Sequence, residues 1–167
     1  HKEYPLLETI LKSFVDLSLL RNDIKTIILD NLEISDNASE KLFSIRRTLK
    51  KLNEELLKTS SMLINKYSND LTDTTFTIRN GHYVLPFKTS LKNTINGVIH
   101  SGVTTFIEPI ELIKINNDIY FNKSQEKEEI YRILRNLTKK VVDYKDDIIN
   151  NNKIIGYLDF VNAKALY

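Results

Sequence analysis

Cysteine is absent from the 167-residue chain. Its absence excludes disulfides, thiolate zinc sites and cysteine nucleophiles, and it is typical of a reducing compartment. The chain has no apolar run of the roughly 18 residues that a membrane helix needs, and no basic-then-apolar signal opens it. We therefore expect a cytoplasmic protein without a membrane partner. The three histidines, His1, His82 and His100, leave few candidates for imidazole chemistry.

Glycine and proline are scarce and unevenly distributed, with four and three copies respectively. Three of the glycines and Pro86 lie between residues 81 and 102, and Pro109 follows soon after. Because both residue types interrupt helices, the flanking regions are predicted to be helical. The sequence thus predicts three parts: a helical first half at 1–71, a β-rich insert at 72–109 and a returning helical half at 110–167.

Apolar residues in the two helical parts follow a heptad spacing. The first stripe comprises Leu42, Ile45, Leu49, Leu52, Leu56 and Leu63, and the second comprises Leu112, Ile115, Ile119, Ile130, Leu134 and Leu137. This spacing predicts two long helices, at about 38–69 and 109–150. Since each helix has one apolar seam, we expect the two to pack antiparallel as a long hairpin.

The helix ends and the polar stretches complete this prediction. Asn37 and Glu40 have the spacing of a capping box at the start of the first long helix. Glu126, Glu128 and Glu129 lie in a stretch that is polar on all sides, so we expect it to be exposed or lightly packed and not to bind metal. Short amphipathic segments at both ends of the chain are predicted to form a small helical bundle.

The insert alternates as β-strands do. The stretches TTFTIRN and HYVLPFK flank Asn80-Gly81, a dipeptide that favours a two-residue hairpin turn because both positions need positive φ. The stretches INGVIH and VTTFIEP form a second pair around Ser101-Gly102. Pro86 is expected at a sheet edge or bulge. The predicted fold class is mostly α with a small antiparallel β insert: a long antiparallel helical hairpin on a short helical bundle, with the sheet at the tip.

Motifs for catalysis are missing from the sequence. It has no phosphate loop of the form GxxxxGK followed by S or T, and no GxGxxG, HExxH or GxSxG. Glu108, which precedes Pro109, is predicted to be a first-turn carboxylate at a helix N-terminus and not a general acid or base. His82 and His100 are predicted to be strand surface positions and not a metal pair. We therefore expect no enzyme activity and no cofactor in this chain.

The insert is also poor in acids. No Asp or Glu occurs from residue 74 to residue 107, whereas Arg79, Lys88 and Lys92 are present among small polar residues. Cations interspersed with hydroxyls and amides are what contacts to a phosphate backbone require. A solvated sheet edge that lysines protect from aggregation would have the same composition, so both interpretations stay open.

The insert and its flanks resemble one family. TFTIRNGHYVLPFK, NGVIH, SGVTTFIEP and YLDFVNAKA, in this order, are similar to the type 2 bacterial branch of the MutS family, as is the upstream LEISDNASEKLFSIRRTLKKL. The resemblance implies a core and lever of helices with a clamp, the β insert, between two lever helices. It also implies contact with duplex or branched DNA through the backbone, by the clamp-surface candidates Arg79, Asn80, Lys88, Lys92 and His100.

The same resemblance implies a longer parent protein. Full-length relatives carry an ATPase domain that binds ATP and Mg and forms the homodimer, and type 2 members usually end in a small Smr endonuclease domain. The branch is associated with suppression of recombination, a form of DNA maintenance similar to mismatch repair, and in some members with rescue of stalled ribosomes. Since the chain has neither an ATPase nor an Smr motif, it resembles a fragment that hydrolyses nothing alone.

One departure from the family pattern lies after His100. Relatives usually have several more residues, rich in serine, before the position of Ser101-Gly102. Either the tip is shorter in this chain, or residues of a flexible loop are missing from the sequence there, which is the interpretation we favour. Two alternative functions remain beside DNA contact: a module that contacts the ribosome or structured RNA, and a structural coiled-coil spacer.

Overall fold

The computed structural model describes residues 4–91, 95–100 and 105–166. Within these ranges it has five α-helices and four β-strands, which confirms the predicted mostly α class with a small antiparallel insert. The helices are α1 (Pro5–Lys12), α2 (Ser18–Ile27), α3 (Glu40–Lys66), α4 (Ile110–Asp143) and α5 (Lys145–Ala165). The strands are β1 (Thr77–Arg79), β2 (His82–Phe87), β3 (Gly97–His100) and β4 (Thr105–Pro109). Among the described residues, no helix is long and apolar enough to cross a membrane.

The chain divides into two compact units. One contains the chain up to Ala38 together with the chain from Tyr131 onwards, and the other is Ser39–Ile130. The second unit holds α3, the whole sheet and the first part of α4, so it contains every candidate binding residue. The structure is described below mainly for this unit.

Helix α3 begins two residues later than the sequence predicts, at Glu40. Its N-cap is Ser39, whose extended backbone lets the side-chain oxygen accept a hydrogen bond of 3.0 Å from the Leu42 N–H. The prediction that Asn37 caps the helix is wrong, because Asp36–Ala38 form a separate 3-10 turn. The predicted apolar stripe is confirmed: α3 buries Leu42, Ile45, Leu49, Leu56 and Leu63.

Helices α3 and α4 run antiparallel within the unit 39–130. Three contacts between side chains show this direction: Ser39 with Glu129, Arg46 with Glu126, and Lys66 with Glu111. From one contact to the next, the residue number rises in α3 and falls in α4. The apolar seams of both helices share one core with the sheet. That core contains Ile45, Leu49, Leu56, Leu63, Leu71, Leu85, Phe87, Ile107, Leu112, Ile115 and Ile119.

The stretch with the three glutamates is packed in part, whereas the sequence predicted it to be exposed or only lightly packed. Glu129 is 1% exposed and accepts a 2.8 Å hydrogen bond from the Ser39 hydroxyl. Glu126 is half-buried and forms a 2.7 Å ion pair with Arg46. The residues at the start of α3 supply these partners, and for that reason the acidic stretch packs against its neighbour.

Helix α4 ends earlier than predicted. The sequence predicts a helix to about residue 150, but Tyr144 interrupts it with φ −97° and ψ 11°. The Tyr144 N–H bonds to the Val141 carbonyl three residues back, which tightens the last turn, and α5 starts at the next residue.

The sheet has the strand order β1-β2-β4-β3, and all three pairings are antiparallel. Arg79 pairs with His82 across a two-residue turn in which Asn80 has φ 52° and Gly81 has φ 84°. The predicted Asn80-Gly81 hairpin is therefore confirmed. The predicted turn at Ser101-Gly102, and any missing loop beside it, lie outside the described residues.

Pro86 does not lie on an edge strand, because β2 is flanked by β1 and β4. The pairing of β1 with β2 stops at Val84, however, so Pro86 lies beyond the end of β1. Its carbonyl accepts a 3.0 Å hydrogen bond from the N–H of Thr72. Pro86 has no backbone N–H to donate, and it lies where the hydrogen-bonded pairing of β2 with β1 has already ended.

The pleat of the sheet gives it two chemically different faces. Tyr83, Leu85, Phe87 and Ile107 lie on one face and belong to the shared core or pack against it. The register places nine side chains on the second face, which we call the histidine face: Thr77, Arg79, His82, Val84, Pro86, Val98, His100, Phe106 and Glu108.

Candidate nucleic-acid interface

Arg79 and Asn80 lie at the turn end of the β1–β2 hairpin, and both are exposed. The Arg79 guanidinium lies over the Phe106 ring, 4.5 Å from its centroid. This cation–π contact holds the charge at the sheet surface while it stays accessible. An arginine placed in this way can donate several hydrogen bonds to one anionic group.

Lys88 lies at the opposite end of β2. It is exposed, its backbone N–H bonds to the Asp70 carbonyl at 2.9 Å, and its ammonium donates to the Asn69 carbonyl. At about 3.3 Å per strand residue, the six steps from His82 to Lys88 span about 20 Å. The structure therefore does not bring Lys88 together with Arg79. Lys92, the third predicted cation, lies outside the described residues.

His100 and His82 are more buried than predicted strand surface positions would be. Their side chains are 11% and 24% exposed, and both contact the same carboxylate. The His82 Nδ1 lies 2.9 Å from one oxygen of Glu108, and the His100 Nε2 lies 3.1 Å from the other. The two rings are 6.0 Å apart between centroids. Each ring therefore presents one of its two nitrogens to Glu108.

Glu108 has a different role from the predicted one. It is a residue of β4 and 2% exposed, and the acid in the first turn of α4 is Glu111. The prediction of a first-turn carboxylate is wrong because the strand continues through Pro109 and turns the Glu108 side chain to the histidine face. Asn116 of α4 adds a third hydrogen bond to the carboxylate, at 2.7 Å.

The charge state of Glu108 follows from these contacts. Burial alone would raise its pKa, but the hydrogen bonds from His82, Asn116 and His100 outweigh burial and hold the pKa below its usual value. Glu108 is therefore ionised at neutral pH, with both oxygens occupied. The negative charge next to the exposed cations is thus buried and stabilised by three hydrogen bonds.

Asn116 joins the sheet to the helix in a way that the sequence did not predict. Its amide accepts a 3.1 Å hydrogen bond from the Tyr83 N–H and donates a 3.0 Å bond to the Tyr83 carbonyl. It thus occupies the position of a further strand residue beside β2, where β4 gives way to α4. The available signal was a polar residue four positions after Leu112, on the apolar face of the predicted helix.

The arrangement offers charge and hydrogen bonds on one face of the sheet. Within the described ranges, no group of three His, Cys, Asp or Glu side chains is placed to hold a metal ion. The ring nitrogens of His82 and His100 that face Glu108 are at hydrogen-bond distance from it, so those contacts are already made. This surface can attract and position an anion.

Comparison with known proteins gives relatives over nearly the whole chain. Endonuclease MutS2 of Clostridium novyi is 40% identical over 170 residues, which cover 99% of this chain and 22% of the relative. Endonuclease MutS2 of Clostridium tetani is 39% identical over 173 residues, and that of Lactococcus lactis subsp. lactis is 39% identical over 170. No protein-family model matches the chain. The chain spans about a fifth of the length of these relatives.

Proposed function

Because the chain is homologous over nearly its whole length to the MutS2 proteins, the type 2 branch of the MutS family, we propose that it is a lever and clamp that contacts DNA. In this proposal α3 and α4 are the lever helices and the four-stranded sheet is the clamp. The sheet contacts duplex or branched DNA through the phosphate backbone. The observation that carries the proposal is the exposed Arg79, held over Phe106 beside the Asn80 turn.

The placement of the charges supports a long polymer as the ligand. Arg79 and Lys88 lie at opposite ends of β2, about 20 Å apart along the strand. A small anion would contact one of them only, whereas duplex DNA carries a charge about every 1.7 Å along its axis and can meet both. Two separated contacts therefore suit a nucleic-acid backbone better than a small-molecule pocket.

The contacts support binding without sequence specificity. Arg79, Asn80 and Lys88 belong to a turn and to a strand end, not to a helix that could enter the major groove. Such cations reach phosphates, which carry no direct sequence information. The relatives are named endonucleases, and an endonuclease has to hold a nucleic-acid chain while another site cuts it.

We assign the catalytic steps to parts of the longer protein outside this chain. In this proposal the parent is a cytoplasmic homodimer with an ATPase domain that uses ATP and Mg and a C-terminal Smr endonuclease. The chain itself binds DNA and does not hydrolyse it. The parent suppresses recombination or acts in DNA maintenance similar to mismatch repair.

The test is the salt dependence of binding to a fluorescently labelled duplex, followed by anisotropy between about 50 and 200 mM salt. We expect the affinity to fall with salt, and the logarithmic slope to become shallower by about 0.9 for each phosphate contact removed. Arg79→Ala and Lys88→Ala should each remove one contact, and the double variant two. Lys92→Ala extends the series.

Lys58→Ala is the matched control, because Lys58 is an exposed lysine that belongs to α3 and not to the sheet. It should keep the wild-type slope. An absence of binding at 50 mM salt in both this chain and the full-length protein would overturn the proposal. An equal loss of duplex affinity in all variants, including Lys58→Ala, would show that binding depends on the overall charge of the chain and not on the sheet. Ribosomal particles that compete better than duplex would favour the RNA alternative.

A further inference from the structure

Beside Arg79, which carries the proposed function, the histidine face contains two imidazole side chains. Arg79 is the cross-strand partner of His82, and Phe106, beneath the Arg79 guanidinium, is the cross-strand partner of His100. The two imidazole rings approach to 6.0 Å between centroids. One guanidinium and two imidazoles therefore lie on the same face of the sheet, and both imidazoles contact the buried Glu108.

We propose that Arg79, His82 and His100 form a subsite for one phosphodiester group, and that the group binds together with protons on the two imidazoles. This inference rests on the proposed function. It identifies which of the phosphate contacts depends on pH. Glu108 serves as the buried counter-charge of the subsite, and it orients both rings.

The orientation follows from which nitrogens Glu108 occupies. It accepts from Nδ1 of His82 and from Nε2 of His100. The opposite nitrogens, Nε2 of His82 and Nδ1 of His100, are thereby left for a ligand. A carboxylate that fixes one nitrogen of an imidazole sets the direction of the other, as it does for histidines that bind metals.

The charge balance explains the proton linkage. The groups that face the subsite are Arg79 from β1, His82 from β2, His100 from β3, Glu108 from β4, and Asn116 and Tyr120 from α4. With both imidazoles neutral, the charges of Arg79 and Glu108 cancel. Each proton then adds one positive charge, so an anion at the site and protons on the rings stabilise each other.

A phosphodiester is the ligand class that fits this balance. It carries a single negative charge that does not titrate near neutral pH, so any pH dependence of its binding comes from the protein. Imidazole is the side chain that ordinarily changes charge between pH 5 and 8. Binding to the subsite should therefore strengthen as the pH falls through that range.

The experiment measures duplex affinity by anisotropy from pH 8.0 to 5.5 at constant ionic strength. For each proton taken up, the dissociation constant should fall by at most about tenfold per pH unit. We expect His82→Gln and His100→Gln to flatten this dependence, so that their loss of affinity relative to wild type is largest at pH 5.5. Lys58→Ala should keep the wild-type pH profile.

A second measurement avoids substitution in case a variant fails to fold. The ring signals of His82 and His100 are followed by NMR during pH titration of the wild-type chain, with and without duplex. Duplex should move both titrations to higher pH. Titrations that duplex leaves unchanged, or histidine variants with the wild-type pH profile, would overturn the subsite but not the proposed function. Loss of all duplex binding at every pH would instead overturn the proposed function.

Discussion

At the scale of single residues, Glu108 depends on partners that are distant in sequence. His82 lies 26 positions before it, and His100 and Asn116 lie eight positions away on either side. Only the register of three strands and the start of α4 bring these residues together. The buried carboxylate consequently stabilises the fold in its ionised form, while the exposed Arg79 nearby remains available for a ligand.

The Glu108 carboxylate should make stability depend on pH in the acid range. Since its folded pKa is lowered from 4.5, its contribution is present above about pH 4.5 and is lost as the pH falls through the folded value. Replacement by Gln removes this contribution. We expect Glu108→Gln to lower the free energy of unfolding by about 1–3 kcal/mol at pH 6, with a smaller difference towards pH 3.

Urea unfolding of both proteins from pH 3 to pH 6 measures this difference. Glu128→Gln is the matched control, since Glu128 is an exposed glutamate on α4. It should change the free energy of unfolding by less than about 0.5 kcal/mol across the range. A difference between wild type and Glu108→Gln that is undiminished at pH 3 would contradict the assigned charge state.

The residues that sequence reasoning placed correctly depend on local geometry. The Asn80-Gly81 turn was predictable because a two-residue hairpin needs positive φ at both positions, and both have it. The exposure of Arg79 and Lys88 followed from their charge. By contrast, the roles of Glu108 and Asn116 required knowledge of which strands pair and where α4 begins, and no local pattern encodes these.

At the scale of elements, heptad spacing predicted the apolar seam of α3. The repeat can be found in the helix's own sequence, even when the helix that packs against it is unknown. The α4 seam was harder to predict beyond Ile119, since its buried positions become Glu129, Ile133 and Leu137 and not the predicted Ile130 and Leu134. The buried Glu129 faces Ser39 at the start of α3. A search for apolar repeats does not detect a charged residue at a buried position of a helix seam.

The Glu129 contact should stabilise the pairing of α3 with α4. Its carboxylate is buried, accepts from Ser39 and lies 3.8 Å from the Lys41 ammonium. We expect Glu129→Ala to lower the free energy of unfolding by about 1–3 kcal/mol, through lost hydrogen bonds and an unfilled space. Chemical denaturation measures the change.

Glu128→Ala is the control for this substitution, because it removes the same side chain one position away on the exposed face. Alanine is a good helix former, so the control should stay within about 0.5 kcal/mol of wild type. Equal effects of the two substitutions would show that the buried contact contributes nothing to stability.

At the scale of the whole molecule, the two units differ in how much apolar surface they bury. Of the sixteen buried hydrophobic residues in the described part of the chain, only Leu20, Ile133 and Leu137 belong to the unit formed by the chain's two ends. In that unit, α5 has no buried residue and leaves large apolar side chains exposed, among them Tyr157 and Phe160. The unit 39–130 contains the other thirteen.

This difference predicts unequal protection against hydrogen exchange. Amides in α3, in the sheet and in α4 up to Ile130 should exchange most slowly, because they surround the larger core. Amides in α1, α2 and α5 should exchange at least about tenfold faster, which corresponds to about 1.4 kcal/mol in opening free energy. Exchange followed by mass spectrometry measures both, and uniform protection along the chain would contradict the prediction.

The amide of Asn116 has a consequence for how the sequence can vary. It gives one donor and one acceptor to the backbone of Tyr83 and a second donor hydrogen to Glu108. Aspartate of the same size lacks the donors, leucine lacks every polar atom, and glutamine has the right groups one methylene too far from the helix. In a library of all twenty amino acids at this position, we expect asparagine to be recovered ahead of aspartate, leucine and glutamine. A residue that joins the sheet to the helix thus limits the substitutions that the start of α4 can accept.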